Sequence, residues 1–209
     1  MSSHVTDSEL RDGIDKVRQA PTDNGVVNMI VVRPKKDYRN TPKTCELSAA
    51  LGMHGDCWAS GEGCSKLLPN GKPHPDIQVS IMNSRSIHLL TRSRRNLWCL
   101  AGNNLYINLD LSEDNMKCGQ RLSIGSAELE ITSSPLNAGG KFAHRFGDVA
   151  KKFVNSAGGK KLHLRGVYAK IIKDGTIKVG DIAKKIGSVG AGGTKMSRTA
   201  RDLNKIYKR

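Results

Sequence analysis

The chain has 209 residues, enough for one domain of ordinary size plus tails but too few for two full domains. It contains no run of about 18 apolar residues that could cross a bilayer, and its start lacks the apolar stretch of a signal peptide. Asp7, Glu9, Asp12 and Asp15 speak against an organellar leader, so the expectation is a soluble cytoplasmic protein with no membrane partner. The formal charge is +15, and residues 141–209 alone carry a net +14, so an anionic partner is expected for the C-terminal third. By charge alone that partner class includes nucleic acid, a phosphorylated cofactor or other anionic small molecule, and a membrane surface, against the plainer alternative of a solvated basic face. The five cysteines, Cys45, Cys57, Cys64, Cys99 and Cys118, form no C-x-x-C pair and are odd in number, so reduced thiols are expected.

Along the chain, TDSELRDGIDKVRQA has the spacing of a short helix capped by Thr6 or Ser8, within an N-terminal extension over residues 1–25. VVNMIVVR (26–33) has the β-branched, apolar character of a buried strand, and Pro34 ends it. Residues 34–75 are loop-like, with one short helix expected in CELSAALG. DIQVSIMN (76–83) predicts a second strand. SIHLLTRSRRNLWCLAG predicts a helix of about four turns, because Ile87, Leu90, Arg94 and Leu97 fall near one face. LYINLDL alternates as a strand, and RLSIG and AELEITS form two more that meet at Gly125-Ser126. FAHRFGDVAKKFVNS places Phe142, Phe146, Val149 and Phe153 on one helical face. HLRGVYAKII, TIKVG and DIAKKI close the series as short strands, with Lys173-Asp174-Gly175 as a turn signal. Residues 187–209 turn to Gly, Ser and basic residues with a net +5, a flexible basic tail. Many short strands with few helices predict a mostly β fold, a barrel with peripheral helices over residues 26–186.

The sharpest local feature is ITSSPLNAGGKFAHRFGD (131–148), a strand, a Gly-Gly turn and a basic helix. Exposed backbone N–H groups and close approach at glycine suit an anion, with Lys141 and Arg145 four residues apart adding charge. The segment fits neither a Walker loop nor a dinucleotide fingerprint. Arg165, flanked by Leu164 and Gly166 in a strand-like run, either pairs with a carboxylate or faces a ligand. His54, Cys57, Cys64 and His74 have zinc-ligand chemistry, but H-x2-C-x6-C-x9-H matches no compact finger, so no zinc is expected. No Ser-His-Asp triad or carboxylate pair can be defended from spacing.

GMHGD (52–56), IQVSIMNSR (77–85), NLDLSEDN (108–115), GQRLSIGSAELEIT (119–132), KFAHRFG (141–147) and LRGVYAKIIKDGTIKVGD (164–181), in this order, resemble the MOSC domain family, related to the C-terminal domain of molybdenum cofactor sulfurases. The resemblance implies a β-barrel with a pocket for the molybdenum cofactor (molybdopterin), and functions in sulfur transfer, cofactor carriage or reduction of N-hydroxylated compounds. It implies Asn83 and Asn108 at the pterin edges, with Gly139, Lys141, Arg145 and Arg165 around an anionic phosphate. It also implies a cysteine desulfurase or a molybdoenzyme as partner; pyridoxal phosphate belongs to that desulfurase, not to this chain.

One departure stands out. Relatives commonly read P-H-x-G-C-x-K-F where this chain has Pro135-Leu136-Asn137-Ala138-Gly139-Gly140-Lys141-Phe142, which puts Leu136 at the histidine and Gly139 at the cysteine. Glycine supplies neither a nucleophile nor a soft metal ligand. The expected catalytic residue is therefore missing, and Cys57, following GMHGD, is the substitute candidate. Three readings follow: a cofactor-binding protein without the thiol, a sulfur carrier or reductase with a displaced cysteine, and a basic nucleic-acid-binding module. With only 4% aromatic residues, a base-stacking platform is not supported, and the third reading rests on phosphate contacts from the tail.

Overall fold

A computed structural model of the chain describes residues 4–61 and 67–188. Its strands are β1 (Gly25–Ile30), β2 (Thr44–Ser48), β3 (Gly52–Met53), β4 (Val79–Asn83), β5 (Leu105–Asn108), β6 (Gln120–Ile124), β7 (Ala127–Ile131), β8 (Val167–Lys173), β9 (Gly175–Lys178) and β10 (Ile182–Ser188). Seven of them close a barrel in the order β1-β10-β6-β7-β8-β4-β5, and β3-β2-β9 form a small second sheet. The expected barrel is therefore present. Its neighbouring strands are antiparallel except β4 and β5, which run parallel with Ile81 opposite Leu105 and Asn83 opposite Ile107. A parallel pair needs a long crossover, here the helical stretch between residues 84 and 101.

That crossover divides the core in two. Val79 and Ile81 of β4, and Leu105 and Ile107 of β5, point into the barrel beside Leu122, Leu129 and Ala169. Met82 and Tyr106, on the opposite faces of the same strands, pack outside it under the helices. Both faces being covered explains why VSIMN is apolar almost without alternation. Each aliphatic side chain fully removed from water contributes about 2 kcal/mol, so the barrel interior is the main source of stability.

The helix α1 (Asp7–Arg18) is capped as expected by Thr6: Glu9 N donates to Thr6 Oγ1 at 3.3 Å, and Thr6 N donates to Glu9 Oε2 at 2.7 Å. The N-terminal stretch is nevertheless no loose extension, because Leu10 and Val17 are buried in the outer cluster with Phe142, Ala150 and Val154.

Four local expectations give way to tertiary packing. CELS is strand β2, paired with β9 from Thr44–Lys178 to Leu47–Gly175, not helix. The helix expected after β4 stops early: α2 (Ser84–Leu90) is followed by Arg92 and Ser93 at φ 48° and 66°, then a 3-10 turn over Arg95–Ala101. This break brings Trp98 onto Tyr106, whose hydroxyl donates to the Trp98 carbonyl at 2.5 Å. The basic helix divides at Gly147, at φ 90°, into α3 (Gly140–Phe146) and α4 (Asp148–Asn155), which leaves Val149 exposed. Arg165 stands in the turn before β8 and not within a strand. Gly166 has φ 104°, and a Cβ there would lie 2.1 Å from the Ile81 carbonyl oxygen.

The tail splits at Ser188, where β10 ends; residues 189–209 lie outside the described residues. No helix among the described residues is long and apolar enough to cross a membrane.

A last helix, α5 (Ala157–Lys161), had no strong signal in the sequence. It can follow α4 so closely because Gly159 has no side chain: a Cβ would lie 2.3 Å from the Phe153 oxygen, whereas at Gly158 nothing stands within 4 Å. Gly159→Ala is expected to cost about 2–4 kcal/mol, and Gly158→Ala to be neutral or to stabilise by up to about 1 kcal/mol. Urea denaturation of the two variants checks the contrast; equal stabilities would show that α5 does not depend on this approach.

Candidate functional site

The β6–β7 hairpin sets up one wall of the site. With Ile124 opposite Ala127 and Arg121 opposite Glu130, pairing continues outward until Gly119 N donates to the Ile131 carbonyl at 2.8 Å. Cys118 therefore sits beside the point where the chain leaves β7. The segment that follows is tied down at both ends. Thr132 Oγ1 donates to the Asp76 carbonyl at 2.7 Å, and Asn155 clamps Ala138 by two bonds of 2.9 Å, one to its N–H and one to its carbonyl.

Between this segment, residues 113–118 and residues 159–167 lies a cavity of about 470 Å³. The size suits a small organic ligand. Its wall carries Lys117, Lys160, Arg165 and His163, with Glu113 as the single carboxylate.

Arg165 is the best-fixed of these cations. Nη1 donates to Asn103 Oδ1, Nη2 donates to the Ala101 carbonyl at 2.9 Å, and the guanidinium lies 5.2 Å from the centre of the Phe142 ring. Its Nε is buried without a hydrogen-bond partner, and no ion pair to a carboxylate forms among the described residues. Desolvation pulls its proton affinity below the ordinary guanidinium value. Of the alternatives open from sequence, no carboxylate partner is found among the described residues, and Arg165 lines the cavity.

Cys118 is a free thiol on the same wall and was not singled out from sequence. Counting outward along the hairpin from Gly125-Ser126 would have placed it opposite Ser133. Desolvation raises its pKa, with Glu130 and Asp76 adding negative charge; the Ser133 side chain and Lys170 oppose them. Burial thus favours the protonated thiol over the thiolate.

Behind Arg165 the chain makes an unusual use of arginine. The consecutive carbonyls of Leu100, Ala101 and Gly102 accept from Arg145 at 2.8 Å, Arg165 at 2.9 Å and Arg33 at 3.4 Å. Arg145 and Lys141 also meet at one carboxylate, Asp37 Oδ1, at 3.3 and 3.1 Å. Arg33 is paired with Asp56, whose side chain has no exposure.

The remaining sequence candidates are dispersed. Gly139 caps α3 at φ −101°, is exposed, and has open space where a Cβ would stand, yet neither it nor Lys141 and Arg145 line the cavity. Asn83 and Asn108 are away from it too: the Asn83 side chain caps α2 by accepting from Arg85 N at 2.9 Å, and Asn108 Oδ1 accepts from Arg85 Nε at 2.8 Å. Cys57 is buried and disulfide-bonded, so it offers no free thiol here and departs from the expected set of reduced cysteines. His74 Nδ1 accepts from Asp76 N, Cys64 lies outside the described residues, and among the described residues no three His, Cys, Asp or Glu side chains are grouped to hold a metal ion.

The family model for the MOSC domain matches residues 71–184, which include every segment that walls the cavity. No curated protein sequence matches the chain. Among solved structures, the YuaD protein from Bacillus subtilis aligns with a TM-score of 0.54 at 17% identity, over 78% of this chain and 95% of that one. A crystallised hypothetical protein gives 0.54 at 18% identity, over 84% of this chain and 73% of its own. YiiM from Escherichia coli gives 0.50 at 19% identity, over 78% and 71%. At these identities the structural likeness concerns the fold alone, and it agrees with the family model: the chain belongs to the MOSC domain family.

Proposed function

We propose that this MOSC protein binds a molybdopterin-type cofactor or a related anionic ligand in the 470 Å³ cavity, held by cationic side chains without a thiolate–metal bond. The observation that carries the reading is Arg165, a desolvated guanidinium on the cavity wall with an unpaired Nε and no carboxylate partner among the described residues. A buried cation without a counter-charge is costly, and an anionic ligand supplies the missing charge and acceptor. Lys117 and Lys160 add charge at the mouth, while Asn103 and the Ala101 carbonyl fix the orientation of the guanidinium. The bound cofactor would contribute the metal centre on which sulfur transfer, cofactor carriage or reduction of N-hydroxylated compounds depends. The chain itself binds and orients it. A desulfurase or molybdoenzyme partner would follow from such a function.

The position where the family places its cysteine is Gly139, and its backbone and surroundings would admit one. Loss of the thiol with retention of Arg165 on the cavity wall favours binding over thiol chemistry. One observation favours a second reading, sulfur carriage on a displaced cysteine: Cys118 faces the cavity as a free thiol. Its raised pKa works against nucleophilic use at neutral pH.

Protein purified from a host that makes the cofactor is expected to retain pterin and molybdenum, and Arg165→Gln to lose about tenfold or more of that retention, the effect of one charge-assisted contact. Absence of both pterin and molybdenum after reconstitution would sink the binding reading. Gly139→Cys is expected to fold with unchanged stability and to leave retained molybdenum unchanged, because residue 139 does not line the cavity; a marked increase would place the metal near residue 139 instead. Cys118→Ser separates the two readings. Unchanged molybdenum and no protein-bound sulfane sulfur in either form support binding alone, while sulfane sulfur that disappears in the variant supports the displaced thiol.

A further inference from the structure

Helix α5 ends on a histidine at a position whose backbone favours glycine. Leu164 N donates to the Gly159 carbonyl and His163 N to the Lys160 carbonyl, both at 2.9 Å, which is the Schellman arrangement of a helix end. The residue at its hinge takes a left-handed conformation, and His163 stands there at φ 45°. Glycine adopts this conformation freely, whereas a side chain brings its Cβ against the following carbonyl oxygen. The strain is accepted for a side chain that is itself held in place.

His163 Nδ1 lies 2.6 Å from the Leu111 carbonyl oxygen. A carbonyl only accepts, so Nδ1 carries the hydrogen, and the neutral ring keeps a lone pair on Nε2. Nε2 has no hydrogen-bond partner among the described residues. His163 lines the 470 Å³ cavity together with Lys117, Lys160 and Arg165, whose side chains are donors only. The ring thus adds a fixed acceptor to a wall of cationic donors. A tie between α5 and the segment after β5 does not by itself explain the histidine. Glu113 N already joins the same two segments by donating to the Lys161 carbonyl at 2.9 Å, and a glycine at the hinge would end the helix with less strain.

We infer that His163 sets the specificity of the cavity: its Nε2 accepts a hydrogen bond from an N–H or O–H group of a ligand whose anionic group meets Arg165. The inference rests on the anion-binding reading of the cavity and narrows the ligand class. Anions in general give way to anions that also carry a hydrogen-bond donor, such as an acid on an amino- or hydroxyl-substituted heterocycle. An anion of the same size without the donor shuts water away from Nε2 and leaves it unpaired, which costs affinity.

The test is fluorescence titration of the full chain at pH 7.5 with two probes. Pterin-6-carboxylate is an anion whose rings carry N–H donors, and 2-naphthoate is a two-ring anion of the same charge that has none. The natural sequence is expected to prefer pterin-6-carboxylate by about tenfold or more, the effect of one hydrogen bond to a fixed acceptor. His163→Asn tolerates the left-handed backbone and overlays the Nδ1 side of the ring, so the Leu111 bond is kept, but it has no atom at Nε2. It is expected to reduce the preference to about twofold or less while 2-naphthoate affinity changes by less than about twofold. His163→Gly is expected to do the same with a thermal midpoint within a few degrees of the natural one, relief of strain offsetting the lost Leu111 bond. Arg165→Gln is expected to weaken both probes alike by about tenfold. Equal affinity of the natural sequence for the two probes, or a preference that survives both His163 variants, overturns the inference and leaves the anion-binding reading standing. Binding of neither probe, or no effect of Arg165→Gln on either, overturns that reading and the inference with it.

Discussion

The site depends on a carboxylate that no solvent reaches. Asp56 accepts from Arg33 through Nε at 3.0 Å, Nη2 at 3.1 Å and the backbone N–H at 2.9 Å, and from Asn104 Nδ2 at 2.9 Å. Asn104, itself fully buried, passes the order on by accepting from Ser80 N and Ser80 Oγ at 3.1 and 2.8 Å. This network joins the end of β1, the segment before residue 58, β4 and the start of β5. A buried ion pair of this kind is a poor source of net stability, but it strongly disfavours every arrangement in which one partner is left alone. Its value here lies in position: it holds residues 100–104 where three arginines from distant parts of the chain can reach three successive carbonyls.

Those three arginines divide the labour. Arg33 is neutralised by Asp56 and is structural. Arg165, without a carboxylate partner among the described residues, lines the cavity and rests on the Phe142 ring of α3. Arg145, from the same helix, faces the other way toward Asp37. The helix is anchored by the Asn155 clamp on Ala138, one residue before its cap. Of the cations that the family resemblance implies, Arg165 lines the cavity while Lys141 and Arg145 do not, and Gly139 lacks the sulfur. An electrostatic pocket can survive the loss of a nucleophile, because the two depend on different side chains.

Much of the fold was legible because it follows from short-range chemistry. Thr6 followed three residues later by Glu9 specifies a helix start, and β6 and β7 meet at Gly125-Ser126 as alternation and turn residues require. The failures share one cause. CELS pairs with β9, more than a hundred residues away, and its preference for strand comes from that partner. The helical spacings through Arg92 and through Gly147 continue on paper, but the chain turns there so that Trp98 and α4 can reach the outer cluster. Cys57 stands next to a motif in sequence, whereas only the hairpin register places Cys118 opposite Ser133 on the cavity wall.

By itself the sequence determined the number and kind of most strands, the cap of the first helix, the barrel class, the surplus of cations in the second half and the missing thiol at residue 139. These are matters of residue type, periodicity and local backbone freedom, which need no knowledge of distant neighbours. Only the tertiary structure decided that Arg165 lines the cavity while Arg145 meets Asp37, that Asn83 and Asn108 are occupied by Arg85, that Cys57 is bonded and Cys118 free, and that Lys141 and Arg145 share the Asp37 carboxylate. The reason is that electrostatic and hydrogen-bond partnerships are settled by distances of a few ångströms between residues such as Asp37 and Arg145, 108 positions apart, and no pattern along the chain encodes which donor reaches which acceptor first.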